Sequence, residues 1–249
     1  MRKIVHILYS GLGGASDVCS ILSKIDKKMN LKSSFIQVGP NQFSKNLFNN
    51  KQTVHFIKTR KLLTQLYFLS ILKKIITEKP CLIFLHNYSI LPIFIYKIFY
   101  SKNLKVVYVD HNPNTLKNYK DYVVCKFFRF IIDFFIVLNF ESYNYFINTI
   151  KINRSCIKKI PNAVNQKFIS KTNKKKNKKK VIIFGMASRI NKLKRHDLII
   201  NAIQDERLKN FNIKCYFAGN GENTNYLKSK ITDKKKFKFF GALKLKRLK

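Results

Sequence analysis

The sequence predicts an α/β protein of doubly wound parallel sheets arranged in two domains. Three observations carry this expectation. Short runs rich in Val, Ile and Phe alternate with segments whose apolar residues recur at helical spacing, which is the pattern of repeated βα units. The first apolar run leads directly into a glycine-rich turn, Ser10-Gly11-Leu12-Gly13-Gly14-Ala15-Ser16. The alternation then breaks at the lysine-rich run from Lys171 to Lys180 and resumes at Val181 with a second, shorter set.

In chain order, Lys3 to Tyr9 reads as a buried strand, and Val18, Ile21, Leu22 and Ile25 mark the helix that follows. Further strands are expected at Ser34 to Val38, Val54 to Ile57, Cys81 to Leu85, Lys105 to Val109, Phe134 to Leu138 and Cys156 to Ile160. Helices are expected over Leu62 to Thr77, Ile90 to Tyr100, Tyr119 to Ile131 and Glu141 to Thr149. The turn Pro161-Asn162-Ala163-Val164-Asn165 closes a first domain, residues 1–165. Residues 166–180 read as a linker or exposed loop, because a row of like charges stays solvated and extended. The second domain, residues 181–249, is expected to start with a fully buried parallel strand, Val181 to Phe184, with the pattern broken at Gly185 to Arg195. Leu198, Ile199, Ala202 and Ile203 then recur at helical spacing, Ile213 to Ala218 is a strand, a short helix lies near Tyr226 to Ile231, and Phe237 to Phe240 is a last strand.

The 249 residues include 50 Lys or Arg, giving a formal charge of +38, a balance that by itself points to nucleic acid or an anionic membrane. The arrangement argues otherwise. The basic residues are scattered apart from the one run, that run holds no stacking aromatics, and the aromatics elsewhere sit inside apolar runs. Over-use of Lys, Asn, Ile and Phe together is what AT-rich coding produces, so nucleic acid is not an expected partner, and contact with membrane is at most peripheral and anionic. The five cysteines, Cys19, Cys81, Cys125, Cys156 and Cys215, match no metal-ligand spacing and read as reduced thiols of a cytoplasmic protein. The apolar run Ile4 to Tyr9 is too short for a signal-peptide core, and Cys81 to Tyr100 is interrupted by His86, Asn87, Pro92 and Lys97, so no transmembrane helix is expected.

Candidate chemistry gathers at strand ends. Asp197 sits in the first turn of the helix after Val181 to Phe184, which makes Ser188 to Arg195 a strand-to-helix loop carrying Arg189 and Lys194. A guanidinium forks onto two phosphate oxygens and an ammonium acts as a point charge, so a diphosphate suits this loop; in so basic a chain a merely solvated loop is the competing reading. The strand Ile213 to Ala218 ends in Gly219-Asn220-Gly221-Glu222, whose glycines allow close backbone approach to a ligand or simply make a tight turn. Right-handed crossovers put both loops on one edge of the sheet. The Gly13–Gly14 turn departs from a dinucleotide fingerprint, since Ser16 replaces the third small residue and no acidic residue closes the second strand. His111, in Asp110-His111-Asn112-Pro113, is either a site residue or a structural histidine at a strand end.

With these pieces placed, the sequence resembles the family 4 glycosyltransferases, enzymes of the two-Rossmann (GT-B) architecture. Gly11-Leu12-Gly13-Gly14-Ala15-Ser16 looks like the family's N-terminal glycine loop, and Asp110-His111-Asn112 falls where its active-site histidine stands. Ile160-Pro161-Asn162-Ala163-Val164-Asn165 is similar to the IPNGVD turn between domains, with Ala163 in place of the glycine. Ser188-Arg189-Ile190 with Lys194 looks like the GRL...K donor-phosphate signature, Ala218 to Glu222 like the AGxG turn, and Phe240-Gly241 like the following FxG.

The resemblance implies transfer of a sugar from a nucleotide-sugar donor with retention and without a metal or other cofactor. Arg189 and Lys194 would hold the donor diphosphate, Gly13 and Gly14 would approach the reacting region, and His111 would touch the transferred sugar from the other domain across a cleft. Asn162, Gly219, Gly221 and Glu222 would complete the donor and substrate contacts. A glycan or lipid-linked acceptor follows, in polysaccharide or lipopolysaccharide assembly at the cytoplasmic face of a membrane. Family members continue past the FxG strand into paired glutamates, E-x7-E, which this chain lacks. It therefore reads as C-terminally truncated, with a second sheet of about three strands that has an unpaired edge and an uncovered apolar face. A catalytically inactive remnant acting as a binding protein is the alternative function, and a basic nucleic-acid or anionic-membrane binder ranks last.

Overall fold

A computed structural model gives the fold, describing residues 2–9, 15–16, 18–19, 21–22, 29–39, 53–59, 65–86, 89–162 and 181–243. The chain divides into two compact units, Met1–Asn165 and Gln166–Lys249. Gly13, Gly14, Ala163 to Asn165 and the lysine-rich run lie outside the described residues.

Unit 1 is a sheet of seven strands: β1 (Lys3–Tyr9), β2 (Lys32–Gly39), β3 (Thr53–Lys58), β4 (Leu82–Leu85), β5 (Lys105–Asp110), β6 (Phe134–Val137) and β7 (Ile157–Lys159). They pair in the order β3-β2-β1-β4-β5-β6-β7, every pair parallel. Ala15, Ser16, Val18, Cys19, Ile21 and Leu22 are helical between β1 and β2. The later crossovers carry α1 (Gln65–Glu78), α2 (Leu91–Phe99), α3 (Tyr119–Phe128) and α4 (Phe140–Asn148). Helices on both faces bury β1 and β2 along nearly their whole length, which explains why these strands read as continuous apolar runs. Strand order reverses between β1 and β4, and ligands of doubly wound sheets bind beyond the carboxyl ends at such a reversal.

Local sequence explains the helix starts. Asn118 accepts from the Asp121 amide at 3.0 Å while Asp121 accepts from the Asn118 amide at 3.0 Å, a capping box that opens α3. Asn139 caps α4 by accepting from the Ser142 amide at 2.7 Å. α3 stops at Phe128, earlier than the periodicity suggests, because the chain tightens into a 3₁₀ turn, Arg129–Ile131, before entering β6. Arg129 Nη1 secures that turn by donating to the Ile150 and Lys151 carbonyls at 2.9 and 3.1 Å.

Unit 2 holds three parallel strands, β8 (Ile182–Ala187), β9 (Ile213–Ala218) and β10 (Phe237–Phe239), ordered β10-β9-β8. Helices α5 (His196–Ile203) and α6 (Thr224–Ser229) join them. Ile190, Ile200, Ile203, Ile213, Cys215, Phe217, Leu227 and Phe237 form its core. Three expectations are corrected here. β8 runs on through Gly185 to Ala187, pairing Met186 with Phe217 and Ala187 with Ala218, so the break begins at Ser188. The strand is not buried: Ile182, Ile183 and Phe184 are 46%, 58% and 50% exposed, and because successive side chains alternate faces, both faces of β8 are open here among the described residues. The buried stripe of α5 is His196, Ile200 and Ile203, an i, i+4, i+7 series, while Leu198 is exposed, because the helix starts at His196 and that phase turns Leu198 outward. Among the described residues, no helix is long and apolar enough to cross a membrane.

One polar anchor ties the crossovers of unit 1 to its sheet. The Asp133 carboxylate accepts from Lys97 Nζ at 2.7 Å, the Val106 amide at 2.9 Å and Lys105 Nζ at 3.1 Å. Partial burial works to raise its pKa, but the bonds from Lys97, Val106 and Lys105 outweigh burial and hold it below the ordinary carboxylate range. A folded-state pKa below the unfolded one means that this stability is present above the unfolded value and lost as pH falls through the folded one. Asp133→Asn is therefore expected to cost about 1–2 kcal/mol at pH 7 in urea unfolding followed by circular dichroism. The difference from the parent should vanish below the ordinary carboxylate range; a difference that persists there would refute this role for the charge.

Candidate functional site

The carboxyl edge of unit 2 is built from two loops held together by backbone. The Ser188 amide donates to the Ala218 carbonyl at 3.0 Å and the Ile190 amide to the Asn220 carbonyl at 3.1 Å, extending the β8–β9 ladder past the end of both strands. The Asn223 amide donates to the Ile190 carbonyl at 3.3 Å, and the Gly219 amide to the Gly241 carbonyl at 2.7 Å. A Cβ at position 219 would overlap the Ser188 carbonyl oxygen, and one at 221 the Ile190 carbonyl oxygen. Both glycines are thus required by the neighbouring loop, and Gly219 also sits at φ 144°. The expectation that both loops share one edge holds.

This docking sorts the basic residues. Ile190 is buried, and Arg189, between it and the ladder, is exposed. Asn191 caps the 3₁₀ turn Lys192–Lys194, accepting from the Lys194 amide at 3.2 Å. Arg195 takes a left-handed φ of 49° and donates twice to the Asp197 carboxylate, at 3.2 Å each. That neutralises one cation. Among the described residues, the side chains of Arg189, Lys192 and Lys194 have no hydrogen-bond or ion-pair partner, and Glu222 stands exposed on the facing loop. His196, buried at the start of α5, lies 3.1 Å from Ser188 Oγ through Nε2 and meets Phe217 edge-on. Burial holds it below the usual histidine pKa. A groove of about 520 Å³ opens between the 191–197 turn and Asn223, Tyr226 and Leu227; neither Arg189 nor Lys194 lines it.

On unit 1, His86 and His111 stand just beyond the ends of β4 and β5, at the strand-order reversal and next to it. The loop bearing His111 is anchored by a buried ion pair. Lys117 Nζ donates to Asp110 at 2.7 Å and to Asn114 Oδ1 at 2.7 Å, with the Lys117 and Asp110 side chains 3% and 0% exposed. The ammonium also lies over the rings of Tyr145 and Phe146, at 4.6 and 4.8 Å from their centroids. Burial pushes the Asp110 carboxyl upward against the pull of Lys117. His111 itself is half-buried, and desolvation takes its pKa down to about 4. Its Nε2 is 2.9 Å from His86 Nδ1, and His86 Nε2 is 3.2 Å from His6 Nδ1. Asn162 is exposed beyond β7.

The structure therefore gathers Arg189, Lys194, Gly219, Gly221 and Glu222 at one edge of unit 2, and places His111 at the equivalent edge of unit 1. Sequence pattern does not single out Lys117, His6 or His86. The signal that finds the histidines is register: Ile7, Leu85 and Tyr108 form one row across β1, β4 and β5. His6 lies one residue below that row, His86 one above and His111 three above. Their shared odd offset puts all three on one face. Gly221→Ala is expected to lower the melting temperature of unit 2 and to speed amide hydrogen exchange at Ser188 and Ile190; unchanged exchange there would show that the loops do not depend on this contact. Lys117→Met, which strands the Asp110 carboxylate, is expected to cost about 3–5 kcal/mol in chemical unfolding. Adding Asp110→Asn should recover part of that loss.

No protein-family model matches the chain, and neither does any curated protein sequence. Solved structures match almost all of it. Anabaena Alr3699/HepE in complex with UDP and glucose aligns at TM-score 0.77 and 15% identity, covering 98% of this chain and 70% of that one. A glycosyltransferase from Rickettsia africae aligns at TM-score 0.66 and 18% identity over 97% and 68% of the two chains. The lipopolysaccharide outer core galactosyltransferase WaaB aligns at TM-score 0.64 and 12% identity over 99% and 70%. UDP-N-acetylglucosamine 2-epimerase from Rickettsia bellii shares the fold more distantly, at TM-score 0.60 and 15% identity over 98% and 70%. At these identities the likeness establishes the fold: two Rossmann-like units of the GT-B type, the second with three strands among the described residues.

Proposed function

We propose that this chain is a glycosyltransferase that takes a sugar from a nucleotide-diphosphate donor and passes it, with retention, to a glycan or lipid-linked acceptor in cell-surface polysaccharide or lipopolysaccharide synthesis. The observation that carries the reading is the carboxyl edge of unit 2. There a double loop held by backbone hydrogen bonds leaves Arg189 and Lys194 without a partner among the described residues at the end of a parallel sheet, while the nearby Asp197 carboxylate is occupied by Arg195. The fold adds support, since the HepE structures of the same fold contain UDP or UDP-glucose.

In this reading the Arg189 guanidinium forks onto the donor diphosphate and the Lys194 ammonium adds a point charge. Both gain strength as the bond to the anomeric carbon breaks and negative charge builds on the departing nucleotide, which is transition-state stabilisation by fixed charge. They supply the positive charge a metal would otherwise bring, so turnover needs none and should survive a chelator. Gly219 and Gly221 keep the double loop closed, and Glu222 and Asn162 are further donor-side contacts. Gly13, Gly14 and His111, the last neutral at pH 7, are the residues of unit 1 proposed to act on the transferred sugar.

Calorimetry with UDP tests the binding half. Arg189→Ala and Lys194→Ala should each weaken binding about ten- to hundredfold, the loss of one charge-assisted contact, while His111→Ala should leave it nearly unchanged. Equal affinity in the parent and Arg189→Ala would sink the reading. Release of free UDP from UDP-glucose in the presence of acceptor reports transfer. An epimerisation would leave the nucleotide attached, and binding without turnover would favour the non-catalytic alternative.

A further inference from the structure

His6, His86 and His111 form an unbroken line of side chains running from the interior of unit 1 to its carboxyl edge. His6 is wholly buried, His86 is 8% exposed and His111 half-buried. His6 cannot swing freely, because its ring lies between Phe35 of β2, stacked at 5.1 Å, and Phe84 of β4, stacked at 5.0 Å. Both phenylalanines are its direct cross-strand partners.

The ring geometry shows what kind of contact this is. The His6–His86 and His86–His111 centroids are 5.5 and 5.1 Å apart, with planes inclined by only 19° and 25°. Those separations are what two imidazole radii and the N···N gaps of 3.2 and 2.9 Å require when laid end to end. Each pair therefore meets edge to edge and nearly coplanar, with one nitrogen's lone pair aimed along the next nitrogen's N–H. Cys19 brings a third potential metal donor, its sulfur lying within 4.8 Å of donor atoms of His6 and His86. Ligands of one metal ion would converge on a shared point at a tetrahedral angle, and the two rings face each other instead.

A neutral imidazole carries one N–H and one bare nitrogen. His86 uses both of its nitrogens, so it must donate to one neighbour and accept from the other. Only two arrangements keep both hydrogen bonds. Either every ring is protonated at Nδ1, and His111 presents an Nδ1–H donor outward, or every ring is protonated at Nε2, and His111 presents a bare Nδ1 acceptor. We infer that His6 and His86 are positioning residues that set, as one cooperative unit, whether Nδ1 of His111 offers a proton or a lone pair to the substrate. Burial, with the neighbouring histidines, takes His86 well below its ordinary pKa, and desolvation takes His111 to about 4, so the middle and outer rings of the line are neutral at pH 7. The inference rests on the reading that His111 meets the transferred sugar.

Two-bond proton–nitrogen spectra of the full chain labelled with ¹⁵N-histidine test it without substrate, so its failure is separable from failure of the donor-binding reading. At pH 7 His6, His86 and His111 are expected in one and the same tautomer, with His55 and His196 as internal references. In His6→Phe, whose ring suits the slot between Phe35 and Phe84, His111 should lose its single-tautomer pattern and its nitrogen shifts should move toward those of a free imidazole, although the two residues do not touch. His86→Phe should do the same and provides a second variant. Unlike tautomers in the parent, or an unchanged His111 spectrum in a folded variant, would overturn the inference. So would stoichiometric zinc retained by the purified chain and lost in Cys19→Ala.

Discussion

The parallel ladder is the constraint on which the rest of this molecule depends. Parallel pairing with crossovers of one hand sends every strand the same way, so each strand's exit loop opens on the same edge of its sheet. In unit 1 the β1–β4–β5 register then decides which side chains meet. A slip of one residue at β4 would send His86 to the opposite face and separate it from both His6 and His111. The buried Asp110–Lys117 pair extends this order past the end of β5, because a charge pair removed from water holds its loop only while both partners are in place.

Unit 2 uses backbone for the same purpose. Its β8 and β9 loops are too short for a core of their own, and they are fixed by carbonyl and amide groups passing close over Gly219 and Gly221. Because the main chain holds the loops, the side chains of Arg189 and Lys194 are left for other work. The acids are sparse and mostly occupied locally: Asp197 by Arg195, Asp205 by Arg207. An excess of cations is ordinary in this chain; a pair of them unneutralised on a rigid sheet edge is a more specific arrangement.

Most of the architecture is legible from residue pattern. Apolar runs and helical spacing locate the ten strands of the described residues within a few residues. What the pattern misjudges is burial. Ile182, Ile183 and Phe184 look like a buried strand, yet burial depends on what packs over the faces of a strand, and all three consecutive side chains of β8 are exposed. The phase of α5 is misjudged for a related reason: His196, a residue type not counted as apolar, leads its buried stripe.

By itself the sequence determined the α/β class, the two-part organisation, the strand-end loops and the candidate phosphate-binding pair Arg189 and Lys194, since these follow from local periodicity and from residue types at strand ends. The tertiary structure alone decided that Gly219 and Gly221 serve the neighbouring loop, that Lys117 pairs with Asp110, and that three histidines from positions 6, 86 and 111 stand in a line. The reason is physical. Each of these contacts joins residues distant in sequence, and only strand order and register bring them within bonding distance.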